Sequence, residues 1–358
     1  MSTTTTTMTT PISGPMVWTS EDLRRSTDWI RTLIAAETDE LDAALRAVQR
    51  RGLGWQTMTR DDFAIPRLAA SLAEVSRELE DDRGLVLLRG IPVERYGEDE
   101  LRIVYWGLGL HLGTPRFQNA QGELIGDVRD ENRLYGTVRE VDPARAGEPR
   151  TSRSKARSAG PLRFHTDRTD VVTLLCVRSA ARGGLSKVVS GPAVHNAILE
   201  RRPDLHALLC APYYHSREGE AGGRQRYYAM PIFGMRDGRF TSQYSRTFVE
   251  NAQGIAGVPP LTDAQNEALD LWAEVCEELC SAMDMRPGDL QLLNNHVVYH
   301  ARTTYEDDPA PGRDRFLMRL WLAMPNSRAL PAGYEALWGS IEPGALRGGI
   351  AQAMGGTA

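Results

Sequence analysis

The sequence predicts an α+β protein whose core is a double-stranded β-helix, or jelly roll, with flanking and inserted helices. Three observations lead there. Two strand-rich blocks, one from residue 171 to about 244 and one from 290 to 324, flank a helical stretch, and no regular helix separates successive strands as a parallel α/β sheet requires. Residues able to ligate a metal stand on predicted strands far apart in the chain, which suits a fold that sets distant strands face to face. Neither an internal repeat nor a linker divides the sequence, so residues 16–358 read as one domain.

Taken in order, residues 1–15 are rich in Thr with Ser, Pro and Gly, lack the basic start and apolar core of a secretory signal, and read as a disordered tail. From 20 to about 51, Leu33, Ile34, Leu41, Ala44, Leu45 and Val48 recur at helical spacing behind a Ser20 cap. A second helix is predicted from 66 to about 80. The apolar run between Gly84 and Gly90 is too short for a helix and reads as a buried strand. A helix from 98 to 110 follows, then loop with a short strand at 124–128. Residues 142–160, rich in Pro, Ser and Arg, predict a flexible basic loop able to close over an anionic substrate. Strands at 171–177 and 186–190 lie either side of a Gly183-Gly184 turn, and a helix covers 193–200. The stretches holding Tyr213, Tyr214, Tyr227 and Tyr228 read as strands, as does 239–244. Thr262 caps an amphipathic helix reaching about Met283, residues 286–289 turn into a strand over 290–300, and the last strand spans 315–324.

At 358 residues and 41% hydrophobic content, the chain is long enough to bury a large core. A net charge of −5 argues against nucleic acid as partner, and no apolar run approaches the ~18 residues that span a bilayer. The four cysteines, Cys176, Cys210, Cys276 and Cys280, form no CxxC pair and read as reduced thiols of a cytoplasmic protein. The sequence admits a homo-oligomer.

His165 and Asp167 stand two apart in a predicted strand, so an imidazole and a carboxylate point to one face. One histidine from a distant strand would complete a set of two imidazoles and one carboxylate with the opposite positions open, as in non-haem Fe(II) sites that activate oxygen. The stretch 295–302 offers His296 and His300, and strand parity does not choose between them. On the final strand Arg315, Leu317, Arg319 and Trp321 share one face, with Phe316, Met318, Leu320 and Leu322 on the other. Two arginines on a buried face require anions: protein carboxylates such as Asp289 or Glu306, or a bound carboxylate held by the guanidinium fork. An iron face beside such an arginine suits a keto-acid that chelates the metal at one end and is clamped at the other.

Over residues 84–325 this pattern resembles the taurine dioxygenase (TauD/TfdA) and clavaminate synthase-like family of Fe(II)/2-oxoglutarate-dependent dioxygenases, which share a cupin-like jelly roll. The resemblance is carried by Phe164-His165-Thr166-Asp167, by Gly183-Gly184-Leu185-Ser186, by Asn295 through His300-Ala301-Arg302, and by Arg315 through Arg319. It implies that His165, Asp167 and His300 bind Fe(II), that Arg315 clamps the far carboxylate of the co-substrate 2-oxoglutarate, and that Ser186, where the family usually has Thr, hydrogen-bonds it. It also implies that Arg319 meets an anionic group of a small, acidic or amino-acid-like substrate, and that Asn119 approaches the substrate from its loop. His296 becomes a packing or hydrogen-bonding neighbour. Because Asp167 is retained, no position is vacated for a halide, and hydroxylation or a related oxidation by O2, with release of succinate and CO2, is the reaction implied. A Zn hydrolase on the same three ligands, or a non-catalytic barrel with a structural ion network, are the rival readings; a second buried arginine has no use in the first and is costly in the second.

Overall fold

A computed structural model describes residues 8–131, 157–217, 225–310 and 312–350. Most of the basic stretch 142–160, up to residue 156, lies outside the described residues, as does the start of the expected tail. From Met8 onward that tail is docked rather than disordered: Met8 is buried, and the backbone of Ile12 exchanges two 2.8 Å hydrogen bonds with the Asn196 side chain.

The elements run α1 (Ser20–Arg25), β1 (Ile30–Thr32), α2 (Ala35–Arg50), α3 (Pro66–Asp81), β2 (Leu85–Arg89), α4 (Glu98–Leu112), β3 (Thr114–Pro115) and β4 (Ile125–Val128). Then come β5 (Leu162–His165), β6 (Val171–Arg178), β7 (Arg182–Gly183), β8 (Ser186–Ser190), α5 (Gly191–Arg201), α6 (Pro203–Leu209), β9 (Pro212–Ser216), β10 (Tyr227–Pro231), β11 (Phe233–Arg236) and β12 (Arg239–Ser242). The chain continues with α7 (Arg246–Ala252), α8 (Asp263–Leu279), β13 (Ser281–Met283), β14 (Leu290–Asn294), β15 (Val298–Arg302), β16 (Tyr305–Glu306), β17 (Phe316–Ala323) and α9 (Glu335–Trp338).

Two sheets make the jelly roll. The larger has the order β1-β2-β14-β6-β17-β3, with β4 also on β17, and the smaller is β13-β8-β15-β5. Every pairing is antiparallel except β1 with β2. The outer face of the large sheet (Val86, Leu88, Leu175, Leu292, Met318, Leu320) packs on Leu41, Leu45, Leu72, Val75, Val104 and Leu108 of α2, α3 and α4. Its inner face (Val172, Leu293, Trp321) meets Val188 of the small sheet, whose own back is covered by α5, α6 and α8. Because both faces of the large sheet are covered, β17 is apolar on both faces apart from Arg319 rather than alternating.

Outside the ligand segment, three predicted elements differ from those observed. The helix expected over 20–51 is interrupted: Ile30 to Thr32 pair in parallel with Leu87 to Arg89, which satisfies an edge of the large sheet that would otherwise present unbonded backbone groups. Helix α8 has the expected cap, Thr262 Oγ1 accepting the Gln265 N–H at 3.1 Å, but stops at Leu279, and Ser281–Met283 joins the small sheet instead. The strand expected over 290–300 is two strands in different sheets. Between them buried asparagines turn the chain: Asn294 Oδ1 accepts from the His296 N–H (2.9 Å), Asn294 Nδ2 donates to Leu79 O (2.8 Å), and the Asn295 N–H donates to Asp170 O (2.9 Å). Helices α6 and α7 carried no clear sequence signal; α6 packs against α5 and α8, and α7 lies on β9 of the β9–β10 hairpin.

A buried ionic knot ties the C-terminal segment to this crossing. Asp170, 1% exposed, accepts from Arg347 Nε (2.8 Å), His296 Nε2 (2.9 Å) and the Met324 N–H (2.9 Å). Removing it strands a guanidinium in the interior, so Asp170→Ala should lower unfolding stability by about 3–5 kcal/mol, read from urea denaturation midpoints. Acid should act on the same interior. Burial pushes the imidazoles of His206, His215 and His296 down to about 4 from an ordinary 6.5. The unfolded chain therefore takes up protons between these values while the folded chain does not, and protons favour unfolding there. Thermal midpoints should be steady above pH 6.5 and fall progressively as pH drops from 6.5 towards 4.

Candidate metal centre

Strand pairing delivers two of the predicted ligands to one point. His165 of β5 lies directly opposite His300 of β15, and His300 in turn lies opposite Val188 of β8. Directly opposed residues of an antiparallel pair present their side chains on one face, and the two imidazole centroids are 4.2 Å apart. The expectation that Asp167 sits within the same strand is corrected: β5 ends at His165. Beyond the ladder the chain is held by hydrogen bonds: Thr166 N–H donates to Tyr244 O (2.9 Å), Thr166 Oγ1 accepts from Tyr244 N–H (3.0 Å), and the Asp167 N–H donates to Asn295 Oδ1 (3.0 Å). Held in this way, the carboxylate joins the histidines.

One ligand atom from each of His165, Asp167 and His300 lies within 4.8 Å of the others, and all three residues are buried. The Nε2 atoms of His165 and His300 are 3.9 and 3.8 Å from the Asp167 carboxylate oxygens. His165 Nδ1 donates to Arg163 O at 2.9 Å, which fixes the tautomer and leaves Nε2 with its lone pair towards the cluster. Trp321 Nε1 donates to Asp167 Oδ2 at 3.0 Å, and Arg319 Nη1 lies 3.7 Å from the same oxygen. Burial pushes the His300 imidazole down to about 3, with His165 adding to the effect, and burial likewise lowers His165 against the pull of Asp167. Burial acts on Asp167 in the opposite sense, yet Arg319, the two histidines and the Trp321 bond together keep its carboxyl below the ordinary carboxylate value. Neutral imidazoles and an ionised carboxylate are the protonation states a divalent ion needs, so the donor set fits Fe(II).

The cluster opens into a cavity lined from both sheets, by Ser186 and Arg302 on one side and Arg315, Leu317 and Arg319 on the other. Register places Met283, Ser186 and Arg302 in one row across the small sheet, next to the row of Val188, His300 and His165. Arg315 is 5% exposed, lies 5.0 Å over the Tyr305 ring, and has an Nη1 without a hydrogen-bond partner among the described residues. Neither carboxylate weighed as its partner serves it. Asp289 is engaged bidentately by Arg89 at 2.8 and 3.0 Å, and Glu306 is exposed. The Gly183-Gly184 pair makes room for this guanidinium: both have φ near +70°, a Cβ on Gly183 would stand 2.2 Å from Thr304 O, and one on Gly184 would stand 3.0 Å from Arg315 Nε. Ser186 Oγ reaches across the sandwich to Gln291 Oε1 at 3.0 Å.

Arg319 lines the same cavity, and Gln118 holds it by both ends, accepting from Arg319 Nε at 2.6 Å and donating to Arg319 O at 2.8 Å. Asn119 is not among the residues that line the cavity. Its side chain takes the Gln121 and Glu123 N–H groups at 2.9 and 3.1 Å and donates to Glu123 Oε2 at 2.8 Å, so it builds the turn, and its neighbour Gln118 makes the contact with Arg319. His296 lies away from the cluster, bonded to Asp170 and, through Nδ1, to Thr241 Oγ1 at 2.9 Å. Sequence reasoning missed Asn295 and Trp321 as partners of Asp167. Only the parity of Trp321 with Arg319 on one strand face hinted at the second.

The chain matches the profile of the taurine catabolism dioxygenase TauD, TfdA family over residues 49–321. It is 29% identical over 336 residues to FR-33289 synthase of Streptomyces rubellomurinus, covering 92% of this chain and 95% of that protein. Over 318 residues it is 28% identical to the taurine hydroxylase-like protein SAT17 of Stachybotrys chartarum, covering 86% and 79%. Among solved structures, asparagine oxygenase in complex with Fe(II), 2S,3S-3-hydroxyasparagine and succinate superposes with a TM-score of 0.60 at 19% identity, covering 82% of this chain and 93% of that one. The non-haem iron oxygenase OrfP with Fe, succinate and (3S)-hydroxy-L-Arg gives 0.58 at 16%, covering 82% and 94%. The structural likeness establishes the shared jelly roll, and the profile match establishes descent: this chain belongs to the taurine catabolism dioxygenase TauD, TfdA family.

Proposed function

We propose that this chain is a non-haem Fe(II)- and 2-oxoglutarate-dependent dioxygenase that hydroxylates a small anionic or amino-acid-like molecule. His165, Asp167 and His300 hold the iron, Arg315 takes the far carboxylate of 2-oxoglutarate with Ser186 beside it, and Arg319 receives an anionic group of the substrate. The single observation that carries this reading is one cavity joining the ligand cluster to Arg315, a guanidinium almost withdrawn from water with no protein carboxylate in an ion pair with it among the described residues. Burying such a charge without an anion is expensive, and a dicarboxylate that also reaches the metal supplies the anion. A Zn hydrolase on the same ligands leaves Arg315 unexplained. Family membership and the amino-acid complexes of asparagine oxygenase and OrfP support the choice.

The residues act by placement. The rigid strand pair presents both imidazoles, and the bonds from Asn295 and Trp321 keep the Asp167 carboxylate turned to them. Leu174, Leu317 and Met285 give the same cavity an apolar lining, which disfavours water around the bound keto-acid. Gln118 holds the Arg319 guanidinium beside Asp167, so a substrate anion paired there brings its neighbouring carbon to the metal. With Fe(II), 2-oxoglutarate and O2 bound, the centre supplies oxidation of an unactivated C–H bond coupled to decarboxylation of 2-oxoglutarate to succinate. Four free cysteines, three of them buried, suit a reducing cytoplasm, and among the described residues no helix is long and apolar enough to cross a membrane.

Anaerobic addition of Fe(II) and then 2-oxoglutarate should raise the weak visible charge-transfer band of the chelated keto-acid. Arg315→Ala should lose that band at the same co-substrate concentration through an affinity drop of roughly 100-fold, about 3 kcal/mol for a buried charged contact. A folded, iron-loaded wild type without a band would sink the reading. A second expectation concerns the substrate. When small acids and amino acids are screened by mass spectrometry for the gain of one oxygen atom, Arg319→Ala should cut product formation at least tenfold while 2-oxoglutarate still binds. Undiminished product from that variant would remove Arg319 from the substrate site.

A further inference from the structure

We propose that Arg302 is a positioning residue that couples occupation of the co-substrate end of the cavity to the backbone of residues 158–160, the segment leading into the first metal ligand. The inference rests on the reading of the cavity given above. Arg302 follows His300 by two on β15 and stands opposite Ser186, so strand alternation turns it inwards, where it lines the cavity and is 6% exposed. Its Nη2 donates to Ser158 O and to Gly160 O, both at 2.6 Å. The carbonyl between them, Ala159 O, accepts from the Tyr305 N–H at 3.1 Å. Three consecutive carbonyls are thus held by the β15–β16 turn.

The same tyrosine links this clamp to the anion site. The Arg302 and Arg315 guanidinium carbons lie 4.9 and 5.0 Å from the centre of the Tyr305 ring. The two cations are therefore at most about 10 Å apart in a region poor in water, where like charges repel appreciably. A carboxylate against Arg315 offsets that repulsion and favours Arg302 in the position from which Nη2 reaches both carbonyls. Geometry requires arginine here: a planar guanidinium fixes two N–H directions on one nitrogen, whereas a lysine ammonium is a rotating point donor. The segment so held continues through Pro161 into β5, where Arg163 O orients the His165 ring. Co-substrate binding would stiffen the approach to His165 without touching it.

The test is hydrogen exchange of the peptide spanning residues 157–164 in the Fe(II)-loaded protein under anaerobic conditions, with and without 2-oxoglutarate, together with calorimetric titration of 2-oxoglutarate. In the wild type, the co-substrate should slow exchange of this peptide roughly fivefold or more. Arg302→Met should abolish the slowing and weaken 2-oxoglutarate binding by roughly tenfold. Arg302→Lys, which keeps the charge and guards against misfolding of the first variant, should retain most of the affinity yet still lose the slowing. Slowing of wild-type size in either folded variant, or unchanged affinity in Arg302→Met, overturns the coupling. Absence of 2-oxoglutarate binding in the wild type overturns instead the functional reading on which the coupling rests.

Discussion

Charge withdrawn from water must be met by opposite charge, and this constraint shapes the interior of the jelly roll. Arg302, Arg315 and Arg319 converge on one cavity, and Asp167, the carboxylate beside Arg319, already faces two imidazoles. The acids elsewhere in the interior are engaged: Asp289 by Arg89, Glu80 by Arg328 and Arg239, and Asp170 by Arg347 and His296. The fold therefore answers its structural cations with its own carboxylates and leaves the cavity for ligands of opposite sign. A metal dication on the three ligands and a dianionic keto-acid beside Arg315 are the complementary pair that such a cavity accommodates.

The way the sheets are joined gives this arrangement its precision. The chain leaves the large sheet at Asn294 and enters the small one at Val298, and the buried amides in between are bonded to Leu79, Asp170 and Asp167. One crossing thus sets the register that puts His300 opposite His165 and also supplies the bond that orients Asp167. The other support for that carboxylate, Trp321, comes from the strand that carries Arg319, so ligand and arginine share one rigid element. Sites on paired strands are held more tightly than sites on loops, which is why two ligands fall on β5 and β15 and the third on a segment bonded at each residue.

Much of this was legible in the sequence, for definite reasons. Strand alternation set Arg315, Leu317, Arg319 and Trp321 on one face, and the structure turns three of them to the cavity and the fourth to Asp167. The capping signal of Thr262 named the start of α8 correctly because a cap is a local hydrogen bond. The end of α8 was misjudged because residues after Leu279 are recruited by β8, a partner ninety or so positions away that no local pattern announces. Ile30 to Thr32 were read as helix for the same reason: only β2 makes a strand of them. The turn that the Asn119 side chain closes was not foreseen, because an asparagine that closes a turn and one that meets a ligand look alike until their partners are known.

By itself the sequence determined the chemistry of the donors: two imidazoles and a carboxylate, arginines spaced along an apolar strand, a glycine pair ahead of a hydroxyl, all fixed by residue identity and by the strand period of two. It left His296 and His300 equivalent, since both satisfy that period. Tertiary structure separated them. The chain crosses between the sheets at His296, which turns to Asp170, and only His300 enters the ladder opposite His165. Which protein groups answer each buried charge was likewise decided in three dimensions, because desolvation and pairing depend on what else occupies the interior and not on neighbours in the chain.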